Sequence, residues 1–248
     1  MRCNGRILDQ RIDFKKAPVC RKESVVQGAK YRISILTPAL LRLEYSEEGV
    51  FEDRATQVVL NRDFPLVRYR VWKSESHLFI ETDELKLAYD QKKFSAEGLK
   101  ITVKSMGEAV WHYGQELHDL KGTYRTLDGF DGAVKFKTGE PIELGHGVLS
   151  REGFSVIDDS KSMALTEENW VEPKTENLDI YFFGYGHRYL ECLNDFYHLC
   201  GSTPLLPRYV FGNWWSRYYP YTEQTYKALM TRFEEEKLPF TVAVIDMD

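Results

Sequence analysis

Cysteine is scarce in this 248-residue sequence, which contains four cysteines, too few and too scattered for a disulfide framework. Cys192 and Cys200 are nearest in sequence, but both fall in a predicted helix. A rise of about 1.5 Å per residue separates them by roughly 12 Å, beyond the ~7 Å that a bridge can span. We therefore expect four reduced thiols and a cytoplasmic location.

Long apolar runs are also missing, since no stretch approaches the ~20 apolar residues that cross a bilayer, and the first residues lack the apolar core of a signal peptide. A net charge of -5 argues against a nucleic-acid partner. The six histidines show no paired metal spacing, and there is no phosphate loop or nucleophile elbow. We expect no membrane or nucleic-acid partner, no cofactor and no metal.

Aromatic residues are abundant, at 14% of the chain, which indicates a β-rich core, a sugar-facing surface, or both. Short segments that alternate apolar and polar residues follow one another up to about residue 181, with turn residues between them. This pattern predicts an antiparallel sandwich or barrel whose sheets have one face packed in the core and one face exposed to solvent. The predicted strands include 31–37, 41–45, 78–82, 85–89 and 99–103.

A helix is predicted at 187–200, before the proline-rich connector 203–207, where we place the domain boundary. Its apolar stripe is predicted to comprise Leu190, Leu193, Phe196, Tyr197 and Cys200.

The last forty residues predict a strand, a helix and a second strand in parallel pairing. The runs Val210–Phe211 and Phe240–Ile245 are continuous, as parallel strands buried on both faces should be. The helix between them has an apolar stripe at i, i+3, i+4 and i+7, and Thr222 can cap its start. Reactive residues in barrels of such units follow the carboxyl ends of the strands.

Candidate binding residues occupy those positions. Trp214, Trp215 and Arg217 follow the first strand, and Asp246 ends the second. Indole rings can stack on a pyranose, and a guanidinium offers paired hydrogen bonds. The alternative is that one tryptophan fills the core, which we expect for one of the two. A charged side chain at a strand end needs partners, which sugar hydroxyls would supply to Asp246.

Two further segments carry polar residues. The loop 114–132 is too long for a hairpin and carries Asp128 among other acids, so it either contacts substrate or simply makes turns. Asp158 and Asp159 end another strand; an acid–base pair is one interpretation, but a solvated turn is the favoured one.

Six segments in this order resemble glycoside hydrolase family 31, the α-glucosidase and α-xylosidase group. Together they run through most of the chain. One departure is Cys200, which stands where threonine is commoner in that family. The segments are Leu36–Tyr45 with Phe51–Arg54, Tyr113–Glu116 with Gly122–Gly129, Gly147–Arg151 with Ile157–Ser160, Phe196–Arg208, Phe211–Arg217 and Ile245–Asp248.

The resemblance implies a mainly β fold: a galactose-mutarotase-like antiparallel β-sandwich at 1–185, a linker helix and connector at 186–207, and the first strand, helix and strand of a (β/α)8 barrel at 208–248. It implies retaining hydrolysis of α-glucosides or α-xylosides, with the nucleophile and the acid expected beyond Asp248. Asp246 then binds the sugar, Met247 lines its pocket, and Asp128 reaches over the mouth, with Trp215 and Arg217 as further contacts.

Two other classes of function stay open. The sandwich could be a stand-alone carbohydrate-binding module, or it could serve a structural or oligomerising role. Under the hydrolase interpretation the sequence is the front part of a longer protein, inactive by itself, whose partner is an oligosaccharide. Assembly into homo-oligomers is left open.

Overall fold

The computed structural model describes residues 15–107, 109–122, 144–203 and 205–246. The chain forms two compact units, residues 1–202 and 203–248. Asp128, Met247 and most of the loop 114–132 lie outside the described residues. No helix in the described ranges has the length and apolar character needed to span a membrane.

The first unit is mainly β, as predicted, and contains two five-stranded antiparallel sheets. The first sheet has the order β1-β2-β3-β12-β9 and the second the order β4-β5-β6-β7-β8. The first sheet consists of β1 (Val25–Gln27), β2 (Tyr31–Thr37), β3 (Leu40–Tyr45), β12 (Leu178–Phe183) and β9 (Ser155–Asp158). The second consists of β4 (Arg70–Lys73), β5 (Leu78–Glu81), β6 (Leu85–Tyr89), β7 (Leu99–Val103) and β8 (Ala109–His112). A separate hairpin pairs β10 (Ala164–Leu165) with β11 (Val171–Glu172).

The two large sheets share one apolar core. Trp111 of β8 meets Phe182 of β12 with ring centroids 5.1 Å apart, and Tyr31 of β2 meets Tyr89 of β6 at 5.2 Å. Alternate residues of β6 and β7 point into this core and the others toward solvent, so the predicted one-sided burial is confirmed for the second sheet.

The same prediction is wrong for the first sheet, because β3 is buried on both faces. The second face of that sheet packs against another cluster, which includes Leu36, Leu40 and Phe183. Helix α1 (Tyr189–Cys200) contributes to it, together with the loops around Val59. Local alternation does not reveal a layer that is supplied from residues far along the chain.

Charged residues occupy part of this buried second face. Arg42 donates from Nε and Nη2 to the two carboxylate oxygens of Asp179, at 2.9 and 2.8 Å, and Nη2 lies 3.0 Å from Glu44. Arg32 holds the same Glu44 carboxylate at 2.6 and 2.9 Å. Burial works to raise the pKa of Asp179, but the charge and hydrogen bonds of Arg42, together with the charges of Arg62 and Lys174, outweigh burial and lower the pKa to about 2.

Helix α1 begins two residues later than predicted, and its predicted apolar stripe packs inward only in part. Cys192 and Leu199 are buried, whereas Leu190 is 83% exposed and Tyr197 is exposed as well. Phe196 and Cys200 of the predicted stripe do pack against the second cluster, beside Cys192 and Leu199, so the packed face is rotated from the predicted one rather than opposite to it.

The second unit contains β13 (Asn213–Trp215), α2 (Glu223–Glu235) and β14 (Phe240–Ala243). The two strands pair in parallel, as predicted. Residues Arg208–Phe211 form a 3₁₀ turn, so the strand predicted at Val210–Phe211 starts later. Both strands are largely exposed rather than buried, because one parallel pair with a single helix leaves much of its surface uncovered.

Candidate functional site

Local sequence positions the start of α2 beside the strand ends. Thr222 caps the helix, with its Oγ1 accepting from the backbone N–H of Thr225 at 3.2 Å, and the hydroxyl of Thr225 accepts in return from the N–H of Thr222 at 2.9 Å. Glu223 lies in the first turn, at the positive end of the helix dipole, and pairs with Lys227 one turn later.

The carboxyl ends of the two parallel strands open on a cavity of about 260 Å³. Arg217, after β13, and Asp246, after β14, both line it, so the structure brings together two of the residues selected from the sequence. The backbone N–H of Val244 donates to Trp215 O at 2.9 Å, which keeps the two chain segments side by side beyond β14. The remaining lining residues are Tyr221, Thr222, Glu223, Tyr226, Lys227, Val244 and Ile245.

Trp215 does not line this cavity. Its ring packs on Phe233 at 5.4 Å and on Tyr221 and Tyr226 at 6.0 Å each, so it supports the cavity wall from behind. Trp214 is 55% exposed and its Nε1–H donates to Val210 O. Of the two tryptophans, Trp215 is therefore the one packed into the interior of the unit, and a sugar contact by it stays a prediction.

Arg217 is held over an aromatic ring. Its guanidinium carbon lies 4.4 Å from the centroid of Tyr219, a cation–π contact that orients the charged group at the cavity. The hydroxyl of Tyr226 donates to Val244 O at 2.7 Å and fixes the chain just before Asp246. The cavity thus combines a guanidinium, a carboxylate and a helix N-terminus.

Sequence reasoning missed Tyr221. Its hydroxyl oxygen is buried at the cavity and has no hydrogen-bond partner among the described residues. The available signal was the aromatic run Tyr218–Tyr221 immediately before the helix cap, a place where side chains face the strand ends. A buried hydroxyl without a partner is costly, and a ligand hydroxyl would satisfy it.

Asp159 in the first unit is structural, contrary to the solvated turn favoured from the sequence. It is fully buried, accepts from the hydroxyl of Thr56 at 2.9 and 3.1 Å, and lies 3.7 Å from Lys174 Nζ. Burial raises its pKa above the ordinary value. Asp158 is exposed.

The base of the long loop is closed by a second buried acid. Asp119 accepts from the backbone N–H groups of Lys121 and Gly147 and from His146 Nδ1 at 2.7 Å. Burial works to raise the pKa of Asp119, but these hydrogen bonds, that of His146 foremost, lower it overall.

The described residues contain no group of His, Cys, Asp and Glu side chains that could hold a metal ion.

Comparison with known proteins connects this geometry to a family. Residues 203–248 match the model of the glycosyl hydrolases family 31 TIM-barrel domain. An α-xylosidase of Saccharolobus solfataricus is 25% identical over 105 residues, which are 40% of this chain and 14% of that protein.

Two solved structures match the chain at 13% sequence identity. A GH31 α-xylosidase from a soil metagenome, complexed with xylose, has a TM-score of 0.56, with 90% of this chain and 40% of that chain covered. A Flavobacterium johnsoniae GH31 dextranase, complexed with glucose, has a TM-score of 0.46, with 92% and 33% covered. The chain thus spans less than half the length of each of these relatives. These matches confirm the resemblance to glycoside hydrolase family 31 that the sequence motifs indicate.

Proposed function

We propose that the chain is the N-terminal part of a retaining α-glycosidase that removes terminal α-linked glucose or xylose from oligosaccharides. The observation that carries the proposal is the match of residues 203–248 to the family's barrel domain, on a parallel strand–helix–strand whose carboxyl edge gathers Arg217 and Asp246 at one cavity. The substrate class follows from the α-xylosidases among the similar proteins.

In this proposal the first unit is a β-sandwich that accompanies the barrel, with domain limits at 1–185, 186–207 and 208–248. Two carboxylates about 5–5.5 Å apart carry out retaining hydrolysis, one as nucleophile and one as acid and then base. Both belong to later barrel strands, beyond Asp248, so the chain by itself is inactive. The protein needs no cofactor and works in the cytoplasm.

The residues of this chain bind and orient the sugar. The Asp246 carboxylate accepts hydrogen bonds from sugar hydroxyls, and Arg217 donates to the substrate from its position over Tyr219. Trp215 stiffens the wall behind the cavity, while Met247 and Asp128 are assigned to the pocket lining and to its mouth. Hydrogen bonds that strengthen in the transition state accelerate the reaction rather than only tightening binding.

The test is a comparison of kcat/KM for aryl α-xylosides and aryl α-glucosides in the natural protein that contains this chain. Asp246→Asn should lower kcat/KM roughly 10- to 100-fold, because a charge-assisted hydrogen bond to a hydroxyl is lost. Asp63→Asn, which removes an exposed acid of the first unit, serves as the control and should leave kcat/KM unchanged. Wild-type kinetics from Asp246→Asn would remove this residue from the site.

Two other functions are separable from this one. A stand-alone carbohydrate-binding module would bind sugar through residues 1–185 and show no hydrolysis in any longer form of the protein. A structural or oligomerising role for the first unit would leave sugar binding and kinetics intact when its surface is altered, and would change the oligomeric state instead.

A further inference from the structure

The second sheet presents an open face on the side away from the shared core. Strand register places Trp72, Phe79, Ala88, Lys100 and His112 in one row across that face, one residue from each strand. Directly opposed residues of antiparallel strands share a face and lie close enough for their side chains to interact. The row therefore forms a continuous surface from β4 to β8.

A parallel row lies beside it, formed by Arg70, Glu81, Lys86, Thr102 and Val110. Together the two rows make what we name the outer face of the second sheet. In the first sheet the corresponding face is covered by α1 and loops, whereas here Lys86, Lys100 and Val110 are exposed.

Aromatic rings occupy one end of the outer face. The rings of Trp72 and Phe79 are stacked, with centroids 5.3 Å apart and planes at 13°, and His77 lies near Phe79 at 6.1 Å. Trp72 is 39% exposed. Next to them in the row, Ala88 presents only a methyl group, so no long side chain of that row stands between Phe79 and Lys100, which lie two strand spacings or roughly 10 Å apart.

Positive charge lies beyond Phe79 in the two rows, at Lys86 and Lys100. The one acid of the two rows, Glu81, is already held by Arg70 at 2.9 Å and by Lys104 at 2.8 Å. Lys86 and Lys100 have no carboxylate partner in the part of the chain that the structure describes. The protein as a whole carries a net charge of -5, whereas the two rows of the outer face hold three lysine or arginine residues and one acid.

We infer that the outer face is a second binding site, for an acidic oligosaccharide whose sugar rings carry carboxylates. A pyranose packs its apolar face against Phe79 and Trp72, and its carboxylate pairs with Lys86 or Lys100. A peptide strand is less suited, because the backbone groups of the central strands are already paired within the sheet. The site does not depend on the proposed hydrolase activity.

The test is calorimetric titration of the 248-residue chain with a tetramer of galacturonic acid and with the matched neutral galactose tetramer. The acidic tetramer should bind more tightly, and its affinity should fall as salt is added because exposed charges are screened. The double variant Lys86→Gln/Lys100→Gln should weaken binding about threefold to thirtyfold, as expected for two exposed ion pairs. Trp72→Ala should weaken the binding of both tetramers.

Lys161→Gln removes an exposed lysine in a loop of the first unit and should leave the affinity unchanged. Circular dichroism of each variant checks that the fold is retained. The inference is overturned if neither tetramer binds at millimolar concentration, if the acidic and neutral tetramers bind equally, or if the double lysine variant binds like the wild type. Because no catalysis is measured, these outcomes are separate from the fate of the proposed function.

Discussion

Removing the Arg42 guanidinium should destabilise the first unit strongly. Arg42→Met keeps most of the side-chain volume but removes the guanidinium that bonds both oxygens of Asp179, whose side chain is 4% exposed. Asp179 is then left with Lys174 Nζ at 3.4 Å, while Glu44 keeps its two bonds to Arg32. Removing one partner of a buried ion pair costs about 3–5 kcal/mol, and the remaining lysine places the expected loss at the lower end of that range. Since domains of this size are stable by about 5–15 kcal/mol, the variant loses a large share of its free energy of unfolding.

The pH dependence of stability should change in the same variant. Because the folded pKa of Asp179 is depressed to about 2, below its ordinary 3.8, this residue stabilises the fold above the unfolded pKa. That contribution, about 2.5 kcal/mol, is lost as the pH falls from about 4 through 2. Without Arg42 most of the depression disappears, so the acid-induced loss of stability in this window should be shallower.

Urea denaturation of the 248-residue chain, followed by tryptophan fluorescence, measures both effects. Arg21→Met breaks an exposed pair with Asp63, at 44% and 49% side-chain exposure, and should cost less than about 1 kcal/mol. The double variant Arg42→Met/Asp179→Leu should recover part of the loss, because the carboxylate that lost its guanidinium is removed. Stability of Arg42→Met within about 1 kcal/mol of the wild type would refute this reasoning.

Three further outcomes are expected. Thr222→Ala should lower the protection of α2 amides in hydrogen exchange by about 1 kcal/mol, with Thr222→Ser near wild type, because the cap to Thr225 is lost; equal protection in all three would contradict it. Asp119 has a lowered folded pKa, so it should stabilise the loop base above about pH 4 and less below it; an unchanged acid profile in Asp119→Asn would exclude this role. Amides of β14 (Phe240–Ala243) should exchange quickly in a monomer, and strong protection there would show that another surface covers them.

The three central strands of the second sheet could be predicted closely, because they follow the simplest pattern in the sequence, whereas the edge strands β4 and β8 were not predicted. The limits of β6 and β7 match the alternating segments residue for residue. Their outward residues are polar or small, so period-two alternation is visible directly. The capped helix α2 and the parallel pairing of β13 with β14 were also confirmed.

The errors share a cause, which is that burial depends on layers remote in sequence. Arg42 and Glu44 look like solvent-facing residues of an alternating strand, yet both are buried, because Asp179 and Arg32 satisfy their charges. Likewise Leu190 belongs to an apolar stripe of α1 and is exposed, while Cys192 packs inward. Only tertiary pairing distinguishes these cases.

The candidate site was accessible from the sequence only in part. Placing Arg217 and Asp246 at strand ends needed just the rule that parallel strands share a carboxyl edge. The support of the cavity wall by Trp215 and the burial of the Tyr221 hydroxyl, which has no partner in the described part of the chain, depend on ring packing, which no spacing rule provides.

The most direct test of the central claim is a crystal structure of the natural protein that contains this chain, with xylose or glucose bound. The measured quantity is the distance from the Asp246 carboxylate to the nearest sugar hydroxyl. The account predicts a hydrogen bond of about 2.5–3.0 Å inside a closed (β/α)8 barrel. A sugar bound elsewhere, with Asp246 turned away from it, would contradict the account.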